Sequence, residues 1–338
     1  MKYKNLDFGK SLVYLPKSTV EIINNKSVTF TTGDIITLKI ILHNERGDVL
    51  TDGGDFIKIW MTEKGAGSVG YVVDYGNGTY IGVIKALWSG SPHIKISLSF
   101  PKESIGLFVN YMYRNGMLRT LKGVFKNARG ETDKTINHPE YSCRQINPSV
   151  TWNISSPVGY VYNKTWHNLL CQNTVEPSYN RYLSCLRNRE IYMVGDSTVR
   201  QWLSSMAEIF NLALSVKRTS AALRGYHHLI KACSLVPLSV YEEHVMNAKD
   251  SIVKFLDRVP GAKIFIKGPH SLEYNNGVPY DFVRYLQDKI IFKIFDNIKH
   301  KVVYLNEWDM TVASESKAIH PSNDLIHQMV QDLLSYIC

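Results

Sequence analysis

The fold of the second half of this chain is predicted by one stretch, residues 191–202, which has the sequence IYMVGDSTVRQW. Four apolar residues at 191–194 run directly into Gly195, Asp196 and Ser197, and apolar residues then recur three or four positions apart. This pattern predicts a buried strand, a sharp turn and a helix that begins near Ser197. Gly195 allows a tight turn where a side chain would clash.

A serine at this point is a candidate nucleophile for acyl transfer. Backbone N–H groups at the start of a helix can stabilise an anion, and acyl transfer needs an exposed hydroxyl together with donors for the oxyanion. The alternative is structural, because Asp and Ser are also the preferred residues at a helix N-cap. The strand before Ser197 and the helix after it favour the catalytic interpretation.

Downstream of this stretch, strand-like and helix-like patterns alternate, which predicts a parallel sheet covered by helices on both faces. Ligands of such sheets lie beyond the carboxyl ends of the strands, and Ser197 follows the first predicted strand. The remaining predicted strands are residues 263–267 and 302–305, and the predicted helices are residues 198–212, 240–256, 280–298 and 321–336.

Upstream, short runs rich in Ile, Val, Tyr and Thr are separated by turn residues, which predicts an antiparallel β-sandwich of immunoglobulin-like topology. The seven runs are residues 20–23, 27–31, 35–43, 56–61, 70–75, 79–86 and 93–99. Residues 108–114 and 120–125 are candidates for further strands. We interpret residues 1–17 as a leader, 18–130 as the sandwich and 131–338 as the second domain; residues 143–188 are predicted to be loop-like.

Composition fits two globular domains, with 44% hydrophobic and 20% charged residues. The net charge of +9 comes from scattered basic residues without a run of five or more. This charge favours acidic partners such as acidic glycans or glycoproteins, whereas a motif for nucleic-acid recognition is absent from the sequence. The sequence has no stretch of eighteen apolar residues, so we expect no transmembrane segment.

Cysteines and glycosylation sequons both point to the secretory route, which includes secreted and Golgi-lumenal proteins. The five cysteines are Cys143, Cys171, Cys185, Cys233 and Cys338. None forms a C-x-x-C pair, so we expect no metal site, and at least one of the first three should form a disulfide. The sequons lie at Asn25, Asn77, Asn153 and Asn163. An apolar signal core does not follow residues 1–4, and the sequence leaves open whether the N-terminus is truncated or divergent.

Several motifs together resemble one family. Gly195-Asp196-Ser197 with Arg200-Gln201-Trp202 is similar to the first block of SGNH-type PC-esterases, and Ile319-His320-Pro321 is similar to their last block. The segments at 53–56 (GGDF) and 77–80 (NGTY) are similar to a neurexophilin-type domain. This combination resembles the NXPE family (neurexophilin and PC-esterase domains), over roughly residues 18–338. The resemblance implies an α/β plus all-β chain: an Ig-like β-sandwich followed by an SGNH-hydrolase-like α/β/α domain with a parallel sheet.

The resemblance also implies the base, His320, which precedes the last predicted helix. The resembled family usually has Asp three residues before this histidine, and this chain has Lys317 there. The carboxylate normally holds the imidazole in one tautomer and stabilises its cation. Asp309 and Glu315 are candidates for a substitute acid, and a Ser–His dyad without an acid is the remaining option.

The oxyanion donors also depart from the family pattern. Gly195 and Asp196 are candidates for oxyanion or loop support, and the Ser197 N–H is expected to contribute. In place of a Gly-Gln-His-Phe-like element the chain has Gly225 and His228, in the sequence GYHH, as weaker candidates. Residues 268–270 (GPH) are another possibility.

Two hypotheses from different classes follow. By resemblance, the chain is a lumenal carbohydrate O-acetyltransferase or esterase that moves acyl groups onto or off glycan hydroxyls such as those of sialic acid. It would bind no resident cofactor and would take acetyl-CoA as a possible acyl donor. The alternative is a catalytically degenerate, secreted or lumenal protein that binds glycans or proteins, which Lys317 and the altered middle block favour.

Overall fold

The computed structural model describes residues 12–24, 29–105, 142–153, 157–173, 178–193, 195, 197–210, 237–271 and 280–338. The strands are β1 Thr19–Ile22, β2 Ile35–Ile41, β3 Phe56–Glu63, β4 Ala66–Val69, β5 Tyr71–Asp74, β6 Thr79–Lys85, β7 His93–Phe100, β8 Gly159–Tyr162, β9 Thr165–Asn168, β10 Ile264–Lys267 and β11 Val302–Leu305. The helices named here are α1 Tyr179–Leu186, α2 Ser197–Ile209, α3 Leu238–Arg258, α4 Tyr280–Phe295, α5 Glu307–Ala313 and α6 Asn323–Ile337. The chain therefore combines an all-β part with an α/β part, as the sequence predicts.

Two antiparallel sheets make up the all-β part. Their strand orders are β1-β2-β6-β5 and β7-β3-β4-β8-β9. In β2, Ile36, Leu38 and Ile40 are buried and alternate with more exposed residues, because successive side chains of a strand point to opposite faces. Ile36 and Leu38 share one core with Ile59 and Met61 of β3, so the two sheets pack face to face. The immunoglobulin-like connectivity stays a prediction.

The five-stranded sheet takes its last two strands from far along the chain. The β8–β9 hairpin adds to the edge of β4, with Gly67 opposite Val161. The predicted boundary at residues 130–131 falls outside the described residues, as do the candidate strands at 108–114 and 120–125, and it stays a prediction. Residues 143–188 are more ordered than the predicted loop, since they contain this hairpin, two short 3₁₀ helices and α1.

Strands β10 and β11 form a parallel pair that helices cover on both faces. Val303 and Leu305 belong to a core with α2 and α6, whereas Val302 and Tyr304 belong to a core with α3 and α4. The alternation along β11 therefore assigns the helices to two layers, while the SGNH-like α/β/α arrangement stays a prediction.

One predicted strand is wrong over the residues that the structure describes. Residues 191–193 form no strand, and residue 194 lies outside the described residues. Ile191 is 40% exposed and Tyr192 is 82% exposed, whereas Met193 is partly buried against the core that contains α2 and α6, so the run lacks the continuous burial of a core strand. The Tyr192 hydroxyl donates a hydrogen bond to Glu190 instead. An apolar run of four residues cannot by itself distinguish a buried strand from an exposed approach to a helix.

Helix α5 joins the two parts of the molecule. It packs against β4 so closely that a Cβ atom at Gly67 would lie 2.0 Å from the carbonyl oxygen of Ala313. The buried carboxylate of Asp309 accepts a hydrogen bond of 2.8 Å from the backbone N–H of Val158. Lys58 of β3 forms a buried ion pair with Asp281 at the start of α4. Of the helices within the described ranges, none is long and apolar enough to cross a membrane.

Candidate active site

Ser197 is the first residue of α2, as the sequence predicts. Two features of the local sequence fix this helix start. A Cβ atom at Gly195 would lie 2.1 Å from a methyl carbon of Val199, so only glycine allows the chain to approach the first turn so closely. Trp202 and Met206 bury the inner face of α2 in the core that it shares with α6.

His320 lies between α5 and α6 and reaches the serine. Its Nε2 atom is 2.7 Å from Oγ of Ser197, although the two residues are 123 positions apart. A general base must come within about 3 Å of the hydroxyl that it deprotonates, and this pair meets that requirement. The expectation that Ser197 and His320 converge is thus confirmed in geometry, while their catalytic roles are a proposal.

Two side chains hold the backbone carbonyls of the residues on either side of His320, Ile319 and Pro321. Nε2 of His270 is 3.0 Å from the carbonyl oxygen of Ile319, and Nε2 of Gln201 donates to the carbonyl oxygen of Pro321 at 3.2 Å. His270 lies three residues beyond the end of β10, so the pair of Ser197 and His320 sits at the carboxyl edge of the parallel strands.

The two candidate acids lie elsewhere. Glu315 accepts hydrogen bonds from Nζ of Lys95 at 2.6 Å and from the indole N–H of Trp60 at 2.8 Å. Although burial raises the pKa of Glu315, these two donors lower it below its usual value. Burial raises the pKa of Asp309 to about 7, and this carboxylate is engaged with Val158. Among the described residues, no carboxylate forms a hydrogen bond with His320.

Lys317, which stands at the position of the family's acid, has an exposed side chain. Its positive charge contributes to the lowered pKa of Glu315. The structure therefore shows a serine–histidine pair in which the stretch before the histidine carries an ammonium group where the resembled enzymes carry a carboxylate.

Some candidates for oxyanion donors lie outside the described residues, and others already bind a different group. Asp196, Gly225 and His228 lie outside the described residues. In the alternative element at 268–270, the N–H of Gly268 already donates to the carbonyl oxygen of Leu305 at 2.9 Å. The ring of His270 is likewise engaged with Ile319. Gly195 and the backbone N–H groups in the first turn of α2 are thus the remaining described candidates, and the N–H groups of a first helical turn have no intrahelical acceptor.

Sequence reasoning missed the role of Gln201. The residue was recognised only as part of the motif Arg200-Gln201-Trp202. Its spacing is the signal that could have found it, because residues four apart share one face of a helix, and Gln201 therefore lies on the Ser197 side of α2.

Two disulfides staple this part of the chain, which confirms the prediction of at least one. Cys143 is bonded to Cys171, and Cys185 of α1 is bonded to Cys338 at the end of α6. Cys233 lies outside the described residues. Disulfides persist in oxidising compartments, so the pattern is consistent with a lumenal or secreted protein.

The remaining predicted sites are the glycosylation sequons. Asn77, Asn153 and Asn163 have exposed side chains, and Asn25 lies outside the described residues. Glycosylation at these sequons stays a prediction. Over the described ranges, no group of three or more His, Cys, Asp or Glu side chains could hold a metal ion.

The fold and the site together define an α/β protein with a serine–histidine pair. A serine–histidine pair lies at the carboxyl edge of parallel strands, in an α/β part that is joined to two antiparallel sheets. A protein-family model described as "NXPE family member 4-like, C-terminal domain" matches residues 166–234 and 226–338, which is more than half of the chain. The chain belongs to the NXPE family, and the resemblance seen in the sequence is confirmed.

Proposed function

We propose that this chain is an acyltransferase or esterase of the secretory route, with Ser197 as the nucleophile and His320 as the general base. The enzyme would transfer acyl groups onto or off carbohydrate hydroxyls, such as those of sialic acid. The observation that supports this proposal is the distance of 2.7 Å between Nε2 of His320 and Oγ of Ser197. A serine hydroxyl is a weak nucleophile until such a base takes its proton.

In the first step, Oγ of Ser197 would attack the acyl carbonyl carbon of the donor while its proton passes to Nε2 of His320. The bond from the acyl carbon to the leaving sulfur or oxygen then breaks, and the imidazolium returns the proton to the leaving group. Acetyl-CoA is the thioester donor that family membership suggests. Backbone N–H groups in the first turn of α2 would stabilise the oxyanion.

In the second step, a sugar hydroxyl would lose its proton to Nε2 of His320 and attack the acyl-serine. The bond between the acyl group and Oγ of Ser197 breaks, Oγ recovers the proton, and the acylated sugar leaves. Water in place of the sugar gives hydrolysis, so one site accounts for both directions of transfer.

A second candidate function is a binding protein with a degenerate esterase site. The observation that favours it is the absence, among the described residues, of a carboxylate bonded to His320, together with Lys317 at the acid position. In serine proteases, loss of the acid lowers kcat about 10⁴-fold. The enzyme hypothesis therefore predicts slow turnover rather than none.

The proposal is tested by comparing the wild-type protein with Ser197→Ala and His320→Ala. We would measure covalent labelling by a fluorophosphonate, hydrolysis of a chromogenic acetyl ester, and acetyl transfer to sialoglycans. Ser197→Ala should abolish labelling and turnover, and His320→Ala should lower both by about 100-fold or more, because a positioned base contributes about 10²–10⁴-fold.

Glycan binding separates the two candidate functions. An enzyme should lose turnover in Ser197→Ala and still bind the acceptor glycan. Equal background rates in all three proteins, with glycan binding retained, would reject the enzyme and leave the binding protein. Ser204→Ala is the matched control, because Ser204 is an exposed serine on the same helix.

A further inference from the structure

The segment that carries His320 is held from both sides by its backbone. We call residues 319–321 the base segment. The ring of His270 contacts the carbonyl of Ile319, and the amide of Gln201 donates to the carbonyl of Pro321. His320 itself is exposed, so burial of its own ring does not fix its position.

His270 is a firmly anchored donor. The residue is 3% exposed, and its own carbonyl oxygen accepts a hydrogen bond from Arg284 of α4. The next residue, Ser271, donates its N–H to the Thr311 hydroxyl at 2.8 Å and its hydroxyl to Asp281 at 2.9 Å. Helix α4 and helix α5 thus fix the backbone from which His270 reaches the base segment.

The ring of His270 keeps one proton, and that proton is on the atom that faces Ile319. Burial, followed by the positive charges of Arg284 and Lys267, lowers the pKa of His270 well below its usual value. The ring is therefore neutral near pH 7 and carries a single N–H. Because a carbonyl oxygen only accepts, the N–H must be on Nε2.

Gln201 links the base segment to the helix of the nucleophile. It lies one turn after Ser197 on α2, so the same rigid helix carries the hydroxyl and the amide that holds Pro321. Its Oε1 atom is buried and has no hydrogen-bond partner among the described residues, so the amide acts here as a donor.

We propose that His270 and Gln201 are positioning residues that keep Nε2 of His320 at the Ser197 hydroxyl by holding the carbonyls of Ile319 and Pro321. They would orient the histidine through its backbone, whereas an acid triad orients it through the ring. The catalytic meaning of this proposal rests on the proposed function. The placement of the base segment does not, and it can be measured separately.

The test uses the full chain with His270→Phe and Gln201→Met, which remove the donors and keep similar volume. His270→Gln is the conservative variant, because its amide can again donate to Ile319. The first readout is amide hydrogen exchange at residues 318–320 and 322, because Pro321 has no N–H. The second is the rate of Ser197 labelling by a fluorophosphonate, and kcat and KM on the acetyl ester where turnover is measurable.

Both donor-removing variants should speed exchange of this segment about 10-fold. They should also lower labelling and kcat about 10- to 100-fold at unchanged KM, since a small misplacement of a reacting group can cost about 100-fold. His270→Gln should recover most of the loss. In a His320→Ala background neither substitution should lower labelling further, because both act through that ring. His300→Phe, at an exposed histidine, is the control.

Unchanged exchange in both His270→Phe and Gln201→Met would overturn the proposal, whatever the activity. So would an equal loss of labelling with and without His320, which would mean that the two residues act by another route. If wild type and Ser197→Ala label alike, the proposed function fails, and the exchange rates alone still decide whether the two side chains hold the base segment.

Discussion

The buried ion pair between Lys58 and Asp281 should be highly sensitive to a single substitution. Lys58 is on β3 and Asp281 is at the start of α4, 223 positions later. Their charged atoms are 2.7 Å apart, and their side chains are 8% and 3% exposed. The Ser271 hydroxyl also donates to the Asp281 carboxylate. The pair therefore joins the all-β part to the α/β part where water is excluded.

Replacing Lys58 by Met would leave the Asp281 charge buried without its cation. At 2.7 Å and an effective dielectric constant of about 20, the attraction between the two charges is about 6 kcal/mol. Part of this is offset, because Met needs no desolvation and fills the space of the Lys chain. We expect the free energy of unfolding to fall by about 3–5 kcal/mol. The double variant Lys58→Met/Asp281→Leu should recover most of it, since it removes both charges.

The assay is urea unfolding at pH 7, followed by tryptophan fluorescence and circular dichroism. The control is Lys293→Met, which breaks the exposed pair of Lys293 and Glu242, whose side chains are 75% and 35% exposed. That change should cost about 0–1 kcal/mol. A loss below about 1 kcal/mol for Lys58→Met, or a double variant as unstable as the single one, would refute the reasoning that removing one charge of a buried ion pair is the dominant cost.

Three further predictions concern the site, the pH dependence and the packing. Lys317→Asp should raise kcat on the acetyl ester about 100-fold or more, because it returns a carboxylate to the position from which the family's acid orients His320. Burial raises the pKa of the Asp288 carboxyl to about 7. The folded state therefore favours the protonated carboxyl, and the stability that this group contributes below about pH 4 is lost as the pH rises through 7. Asp288→Asn, which can still accept from the Tyr304 hydroxyl, should reduce the loss of unfolding free energy between pH 5 and 7 by about 2 kcal/mol. Gly67→Ala should lower the free energy of unfolding by about 1–3 kcal/mol, because its Cβ would lie 2.0 Å from a backbone oxygen of α5.

Each of these predictions has a matched control. Lys317→Asn removes the positive charge without adding a carboxylate, and an equal gain from both variants would contradict a role for the acid. Asp257→Asn changes an exposed aspartate, and the same effect on the pH profile there would rule out burial as the cause. Gly261→Ala meets no atom within 4 Å and should be neutral, so a similar loss at both glycines would rule out the clash.

Much of the α/β part could be predicted because its elements have clear periodicity. The strand at residues 302–305 was predicted at its observed bounds, and α2, α3 and α6 lie within two or three residues of the prediction. Strand β4 was missed because its sequence, AGSV, has small residues and no alternation. It is a strand because its neighbours β3 and β8 supply hydrogen-bonding partners, which a local pattern does not contain.

The site could be predicted in part. Ser197 and His320 were found because each lies in a motif next to a helix start, and the structure brings them together. The contacts of Asp309 and Glu315 could not be foreseen, because their partners come from residues more than 150 positions away. Proximity in sequence to His320 was a poor guide, since both carboxylates bind groups of the all-β part instead.

The order of strands in the five-stranded sheet also affects how the protein is made. β4 is the middle strand, and its register pairs Gly67 with Val161 of β8. At a synthesis rate of about 5–20 residues per second, β8 leaves the ribosome roughly 5–20 s after β4. During that interval one edge of β4 presents unpaired N–H and C=O groups, which can pair with a strand of another nascent chain. Slower translation between these two strands should therefore increase aggregation, even though the finished protein is unchanged.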